Sequence, residues 1–409
     1  MLNKSYDGQI AAIGTHCSDP KQRQMCGFTL FALALGSFCI GTSEFASMGI
    51  LQLFSRSLQI TIPQATNAIT AYALGVVIGA PIVTLAAARL NRRTLLLLLM
   101  ALFVVGNVLS GLSANLAMFA VARFISGLPQ GAYFGAGAVV ASYIMGPGRG
   151  GKAFALVMMG LTVATIVGSP LATFLGQTIG WRNTYLTVAT ASGVALAALW
   201  AWVPATKELD GGPIMQELGA LRRFSVWAMM LVAALGVSSI FAIYTFVGPF
   251  VTDVAKIDSA WVPLALAIFG VGMTVGNYIG GKLADNFPAR GLIVGFGVAL
   301  IVLVVLATFG SNLVVMMFCL FGVGTTMFVA IPTIQVRMTT FAPDAPTLMG
   351  AMSLAAFNVS NAIGAAAAGF AVSAGFGFLA AGWAGFGLTL AGLAVFGLTL
   401  PRDQEVVTA

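Results

Sequence analysis

The chain has 409 residues, of which 59% are hydrophobic and only 8% are charged, with a mean hydropathy of +0.98. Soluble domains carry roughly 25% charged residues, so this composition excludes a soluble protein and predicts a polytopic membrane protein. The formal net charge is +7. We expect no nucleic-acid interface, because the basic residues are spread over many short loops and are not clustered on one face.

Twelve long apolar stretches follow one another along the chain, separated by short polar turns. Each stretch is long enough to cross a hydrocarbon core of about 30 Å as a helix. Asparagine and proline residues punctuate the turns, as in loops between helices. The predicted spans are 28–54, 64–88, 94–112, 115–140, 153–177, 183–203, 226–252, 260–284, 290–308, 312–334, 346–373 and 378–400.

The basic residues predict how these spans are oriented. With the N-terminus inside, fifteen of the 19 lysines and arginines fall on the inner side, and only Arg56, Arg182 and Lys256 fall on the outer side. Arg123 is left within the membrane. Such a bias follows the positive-inside rule, and it predicts that both termini are cytoplasmic.

The longest predicted internal loop, 204–224, lies halfway along the chain and is rich in charged residues. We interpret it as a linker between two six-helix bundles. The predicted organisation is a cytoplasmic tail at 1–27, a bundle at 28–203, a cytoplasmic linker at 204–225, a second bundle at 226–400 and a cytoplasmic tail at 401–409.

An internal repeat supports this division. Residues 72–93 and 269–290 are both second helices of a half, and they align without a gap. The alignment matches Gly75 to Gly272, Gly79 to Gly276 and Arg93 to Arg290. Parallel repeats of this kind are typical of transporters, while a chance match between two glycine-rich helices is the alternative.

Glu44 is the most informative single residue, because it lies in the middle of the first apolar stretch. An ionisable group there costs about 3 kcal/mol on insertion scales and is a functional-site hypothesis by default. At 1.5 Å per residue, Glu44 lies ~15 Å and Arg123 ~12 Å from the outer ends of their helices. Opposite charges at one depth offset part of each other's desolvation, so we predict that the two residues are partners.

Two interpretations of Glu44 and Arg123 remain open. In the first, Glu44 binds and releases a proton, and the solute shifts the balance between its charged and neutral forms. In the second, the two residues form a permanently ionised structural pair. Glu44 is the one acid that we place deep in the membrane, and this favours the proton-coupling role.

The fourth stretch carries a mixed polar and aromatic face. Arg123, Gly127, Gln130 and Phe134 follow one another at spacings of four, three and four, which places them on one side of a helix. Such a face is typical of a cavity wall for an amphipathic solute. The alternative is a helix-packing stripe formed by the glycines of this stretch.

The second half offers amides and phenols, which can hydrogen-bond a neutral solute. The candidate cavity residues there are Tyr244, Asn277, Tyr278, Asn358 and Asn361. Each can equally satisfy a neighbouring backbone carbonyl. Gly248 and Pro249 lack one helical hydrogen bond, which predicts a flexible break in the seventh helix. The 18 methionines and 29 phenylalanines indicate an apolar, adaptable pocket. We expect Asp253 to be a solvated helix end.

Seven segments together resemble the major facilitator superfamily, in its drug/proton antiporter group, and are similar to AraJ-type arabinose-efflux permeases and chloramphenicol-resistance exporters. They are GTSEFASMGIL (41–51), YALGVVIGAP (72–81), ARFISGLPQGAYFG (122–135), GWRNTY (180–185), YTFVGPFV (244–251), GKLAD (281–285) and APDAPTLMGAMSLAAFNVSNAIGAA (342–366). The resemblance implies an all-α membrane protein with twelve transmembrane helices in two pseudo-symmetric bundles around a central cavity.

The resemblance also implies an inner gate at the turns after the second and eighth helices. Its residues are Arg89, Arg93, Asp285 and Arg290, with Gly248 and Pro249 as a flexible element. We expect Asp285 to pair with a helix N-terminus or with Arg149 or Lys152. The chain departs from the family pattern at Ala88, where an acid is usual, at Asn91, where a glycine is usual, and at Gln130, where relatives often carry histidine.

Enzymatic functions find no support in the sequence. The segment 146–152 satisfies the spacing Gly-x-x-x-x-Gly-Lys, but Ala153 follows it and no strand precedes it, so ATP hydrolysis is not expected. The four cysteines form no CxxC pair, and the one histidine lies in the N-terminal tail. We therefore predict no metal site, no cofactor and no enzyme activity.

The sequence thus predicts a secondary active transporter in the bacterial cytoplasmic (inner) membrane. It would export a small organic solute, an amphipathic drug or a sugar-like compound, in exchange for protons by alternating access. A proton-independent facilitator or an importer of a small metabolite is the alternative. The expected partners are the solute, protons and the lipid bilayer, and the expected state is a monomer.

Overall fold

The structure is a computed structural model that describes residues 20–87, 89–146, 150–209, 219, 221–286, 289–342 and 346–408. These residues form helices joined by short turns. In chain order, helices α1 to α17 are Pro20–Gly49, Leu51–Ser57, Ile62–Ala86, Arg92–Gly111, Leu116–Gly127, Gln130–Met145, Gly150–Val163, Ser169–Ile179, Trp181–Trp202, Phe224–Gly236, Ser238–Tyr244, Val247–Pro249, Val262–Asn286, Arg290–Phe309, Leu313–Phe341, Pro346–Ala371 and Ala380–Thr408. We refer to α1–α9 as the first half and to α10–α17 as the second half.

Eleven helical stretches within the described residues are long and apolar enough to cross a membrane. The predicted fourth span is divided between α5 and α6, which meet at Leu128 and Pro129. Each piece is shorter than a membrane span, because proline supplies no backbone N–H to a continuous helix. Twelve spans and cytoplasmic termini therefore stay predictions.

Three π-helical turns interrupt the longer helices, at Ala164–Gly168, Phe250–Val254 and Val372–Phe376. The predicted break at Gly248 and Pro249 lies within the most irregular of these stretches. Here α11 ends at Tyr244, α12 has only three residues, and the π turn follows directly. Such departures from regular α geometry in a helix often mark functional hinges.

The aligned glycines of the two halves make equivalent helix–helix contacts. Helix α3 packs on α5 in the first half, and α13 packs on α15 in the second. A Cβ atom on Gly75 would clash with the carbonyl oxygen of Phe124, and one on Gly272 would clash with that of Phe321. Gly272 follows Gly75, and Phe321 follows Phe124, by the same number of positions. The same offset relates Gly79 on Leu128 to Gly276 on Thr325, and Gly127 on Tyr72 to Gly324 on Phe269. These contacts confirm the internal repeat.

A second set of contacts relates the first helix of each half to the fifth. Gly160 of α7 lies against the carbonyl oxygen of Ala34 in α1, and Gly364 of α16 lies against that of Ser238 in α11. Gly364 follows Gly160, and Ser238 follows Ala34, by the same number of positions. Close backbone approach at small residues is the usual basis of helix association in membranes, and here it is used in the same way twice.

Side-chain hydrogen bonds join the two halves at one face of the molecule. The Thr29 hydroxyl donates to the carbonyl oxygen of Trp202 at 2.6 Å, which places the start of α1 beside the end of α9. We call this the termini face and its opposite the far face. At the far face, Gln52 Nε2 donates to Thr252 Oγ1 at 2.8 Å and to Asp253 Oδ2 at 2.7 Å. Asp253, expected to be a solvated helix end, instead joins the halves.

A second bond at the far face has the same character. Gln177 Nε2 in α8 donates to the backbone carbonyl oxygen of Ser259, beyond the π turn of the second half, at 2.7 Å. The far face is therefore held closed by side chains from both halves.

Candidate substrate cavity and its buried carboxylate

A cavity of about 450 Å³ lies between the two halves. It is on the termini side of the far-face hydrogen bonds, since Met158 lies in the first turns of α7 and Gln335 in the last turns of α15. The walls are mainly methionine, phenylalanine and aliphatic side chains. The polar lining residues are Glu44, Gln130, Thr162, Asn277, Gln335 and Asn358. Apolar walls with a few placed polar groups are typical of small-molecule sites.

Glu44 is the one charged side chain among the described residues that line this cavity. It is 6% exposed. Its Oε2 atom accepts a hydrogen bond from Gln130 Nε2 at 3.0 Å, and its Oε1 atom accepts one from Asn361 Nδ2 at 3.4 Å. The first donor belongs to the first half and the second to the second half, so the carboxylate bridges the two.

The amide of Gln130 is held in a defined orientation. The Tyr72 hydroxyl donates to Gln130 Oε1 at 2.6 Å. This bond requires the amide oxygen on the side of Tyr72 and the NH₂ group on the side of Glu44, an assignment that follows from the hydrogen-bond network. A chain of hydrogen bonds thus runs from Tyr72 through Gln130 to the carboxylate.

Arg123 is fully buried and is held beside Glu44 without contacting it directly. Its Nη1 donates to Ser43 Oγ at 2.8 Å, and its Nη2 donates to the Ser43 carbonyl oxygen at 3.0 Å. The guanidinium also lies over the ring of Tyr72, 4.3 Å from its centroid, and near the ring of Tyr185, at 5.2 Å. Cation–π contacts of this kind favour a buried guanidinium.

The partnership predicted from equal depth therefore takes an indirect form. Ser43 and Glu44 are neighbours on α1 and project about 100° apart around a helix of 3.6 residues per turn. Ser43 faces α4, where its hydroxyl donates to Asn107 Oδ1 at 2.6 Å, and Glu44 faces the cavity. Arg123 binds Ser43 and lies over the ring of Tyr72. The Tyr72 hydroxyl donates to Gln130, which in turn donates to Glu44.

The predicted cavity residues are divided by the structure. Gln130, Asn277 and Asn358 line the cavity, whereas Asn361 reaches Glu44 from within the helix interface. Phe134 is buried against Tyr133 and does not belong to the described lining.

Two phenols also lie elsewhere. The Tyr244 hydroxyl donates to Ser169 Oγ at 2.8 Å, a bond that crosses from the second half to the first. Tyr278 is 67% exposed, and its ring lies 4.3 Å from the Lys282 ammonium. Tyr278 points away from the cavity because it follows Asn277 by one position, about 100° around the helix.

The predicted gate is only partly described. Arg89 and Arg290 are exposed, and Arg93 Nη2 donates to the carbonyl oxygen of Trp200 at 2.6 Å. Arg149 and the side chains of Lys152 and Asp285 lie outside the described residues, so their pairing stays a prediction. Gly248 lies at the far face, where a Cβ atom would approach Gln52 Oε1 to 3.2 Å.

Several residues of the site escaped the sequence reasoning. They are Ser43, Gln52, Tyr72, Asn107, Tyr185 and Thr252. Each is an uncharged polar residue in or beside an apolar stretch, and it gives no signal comparable with that of a buried charge. Ser43, Tyr72 and Tyr185 lie within segments that carry the family resemblance, but the resemblance assigned no role to them.

Comparison with known proteins decides the family. The profile of the Major Facilitator Superfamily matches residues 33–365. The chain belongs to this superfamily. It is 37% identical over 357 residues to the inner membrane transport protein YdhP of Escherichia coli K12, covering 86% of this chain and 90% of YdhP.

Two further relatives are named as a putative transporter and as a resistance protein. The chain is 32% identical to the putative transporter AraJ of Escherichia coli K12, covering 85% of this chain and 89% of AraJ. It is 31% identical to the chloramphenicol resistance protein of Streptomyces lividans, covering 82% of this chain and 86% of that protein.

A solved structure supports the fold. A bacterial homologue of the human lysosomal transporter Spinster, in an inward-facing and unoccupied conformation, superposes with a TM-score of 0.72 over 93% of this chain and 98% of its own, at 15% identity. The family match, the inner membrane relative YdhP and the eleven candidate spans among the described residues identify the protein as a multi-pass transporter of the inner membrane, which acts on a small-molecule substrate. Its relatives are transporters and not enzymes.

Proposed function

We propose that this transporter exports a small amphipathic organic solute in exchange for protons by alternating access. The observation that carries the proposal is the position of Glu44: a buried carboxylate at the cavity wall that accepts hydrogen bonds from both halves. Ionisable groups in such places commonly belong to proton pathways.

A proton on Glu44 would change how the halves interact. The ionised carboxylate accepts from Gln130 on one side and Asn361 on the other, and hydrogen bonds to a charged acceptor are roughly twice as strong as neutral ones. Protonation weakens the bond from Asn361, which is the one that crosses between halves. Because a ligand shifts an equilibrium only by its differential affinity for the two states, this change couples proton occupancy to conformation.

The hydrogen bonds at the far face support alternating access. The far face is held closed by Gln52 and Gln177, while the cavity lies toward the termini face. Opening the far face requires these bonds to break as the two halves rock against each other. With the termini inside, as the distribution of basic residues predicts, the cavity would load from the cytoplasm.

The cavity walls support an amphipathic solute over a sugar. Met158, Met273, Phe241 and Phe328 contribute flexible or aromatic apolar surface, and methionine adapts readily to different shapes. Export and a drug-like solute are also suggested by the relative named for chloramphenicol resistance.

Substrate-driven proton movement in proteoliposomes tests the proposal. We expect wild-type protein to release protons when solute is added on one side of the proteoliposome membrane. We expect the Glu44→Gln protein to bind the solute without releasing protons. The exposed acid Glu208 provides a matched control: Glu208→Gln should retain coupling. Undiminished proton release by Glu44→Gln would falsify the proton role. Undiminished solute flux without a proton gradient would favour the facilitator.

A further inference from the structure

We propose that Asn358 and Asn361 read hydrogen-bond donors on the transported solute. The solute's polar end then carries at least two N–H or O–H donors and no anionic group. The inference rests on the transport function proposed above and adds the chemistry of recognition. Its basis is the pair of amide oxygens that the second half leaves without partners beside the cavity.

The orientation of both amides is fixed by their nitrogen atoms. Asn358 Nδ2 donates to the carbonyl oxygen of Leu354 at 3.0 Å, and Asn361 Nδ2 donates to Glu44 Oε1 at 3.4 Å. Neither a carbonyl nor a carboxylate oxygen can donate, so each NH₂ group must face its acceptor. The atoms that remain are the two Oδ1 oxygens, which act only as acceptors.

Both oxygens lack a hydrogen-bond partner among the described residues. Asn358 is 3% exposed and Asn361 is 1% exposed. Buried side-chain oxygens are nearly always hydrogen-bonded, and an unpaired one calls for an explanation. The two residues are three positions apart and therefore lie on one face of α16, which is the face that contributes Leu354 and Asn358 to the cavity lining.

The charge of the site selects against anions. Glu44 is the charged group at the described wall, and the Arg123 guanidinium is directed to Ser43 and away from the cavity. An anionic solute would meet a carboxylate and two acceptor oxygens without a cation to pair with. A hydroxyl, amide N–H or ammonium group would meet three acceptors.

The test is equilibrium binding to purified protein at fixed pH, with compounds in matched pairs. Each pair contains an amphipathic compound with at least two donors and the same compound with those donors methylated. Chloramphenicol, with two hydroxyls and one amide N–H, and its O-methylated derivative form the first pair. Aromatic amides and aryl amines, each with its N-methylated partner, form the others, and a carboxylate analogue of each tests the exclusion of anions.

We expect every bound donor-bearing compound to bind about 10-fold or more tightly than its methylated partner, since one hydrogen bond to a buried acceptor contributes about this factor. Asn358→Leu should reduce this preference by about that factor, because Asn361 and Glu44 remain as acceptors, and should leave the methylated compound within about twofold of its wild-type affinity. Asn183→Leu is the matched control, because Asn183 donates to its i−4 carbonyl as Asn358 does but is exposed outside the cavity.

Equal binding of the two members of each pair would overturn the inference, and so would tighter binding of the carboxylates or no binding by any donor-bearing compound. Thermal melting of each variant establishes that it is folded. Because binding is measured without a proton gradient, these outcomes are independent of the Glu44→Gln test. Loss of coupling with an intact donor preference separates the two proposals, as does the reverse.

Discussion

The two halves of the molecule share a scaffold but not a chemistry. Helices α3 and α5 contact each other at the same glycine positions as α13 and α15 do. The polar residues beside those glycines in the first half are replaced by apolar ones in the second. The aligned pairs are Tyr72 with Phe269, Arg123 with Leu320 and Gln130 with Met327.

The difference teaches which features packing requires and which it tolerates. A backbone–backbone approach at Gly75 and Gly272 allows no side chain, so both halves need glycine there. A buried charge is costly in each half, and the buried guanidinium of Arg123 lies in the first half, where Ser43 and Tyr72 receive it. The offset that relates Gly160 to Gly364 places Gly248, in the broken seventh helix, at the position of Glu44.

The largest expected effect comes from giving the second half the charge of the first. Leu320→Arg would place a guanidinium at a fully buried position, and Val247 stands in the second half where the first half has Ser43. A charge at a helix centre costs about 3 kcal/mol or more, so we expect loss of folded protein in detergent. Leu320→Met should be nearly neutral, and a stable Leu320→Arg protein would show that the second half can also house a charge.

Adding one methyl group at the shared glycines tests the symmetry itself. Gly79→Ala and Gly276→Ala each force Cβ against the backbone of the facing helix, and overpacking of this kind costs about 1–3 kcal/mol. We expect similar decreases in melting temperature from both. Gly135→Ala and Gly297→Ala have open space at Cβ and serve as controls. A large effect in one half alone would contradict the equivalence.

Replacing Gln130 by the residue type of its aligned partner, Met327, tests the chemical difference between the halves. Gln130→Met places the second half's residue in the first and removes the donor to Glu44 together with the acceptor for the Tyr72 hydroxyl. Loss of a hydrogen bond to a charged group corresponds to about 1.5–3 kcal/mol, so we expect proton release per solute to fall about 10-fold or more. Gln130→Glu retains an acceptor for Tyr72 and separates the two contributions.

The smallest expected effect concerns the far face, where the halves meet. Gln52→Leu removes two hydrogen bonds, including one to the Asp253 carboxylate. We expect the population open at the far face to rise by about 10-fold, measured as faster maleimide labelling of a cysteine at Thr66. Gln64→Leu, on the exposed helix start, is the control. Unchanged labelling would assign the closure to apolar packing.

The sequence by itself determined the class, most of the spans, the repeat and the two buried charges. These features depend on local quantities: hydropathy over a membrane length, glycine spacing and the cost of one ionisable residue in an apolar stretch. They require no knowledge of which way a helix is rotated.

Only the tertiary structure decided the partners. Arg123 binds Ser43 and not Glu44, Asn361 approaches Glu44 from the other half, and Gln52 meets Asp253. Neighbours on a helix differ by about 100° in direction, and nearly uniform apolarity gives no periodicity from which to read that rotation. Contacts between the halves join residues hundreds of positions apart, so they follow from the docking of whole bundles.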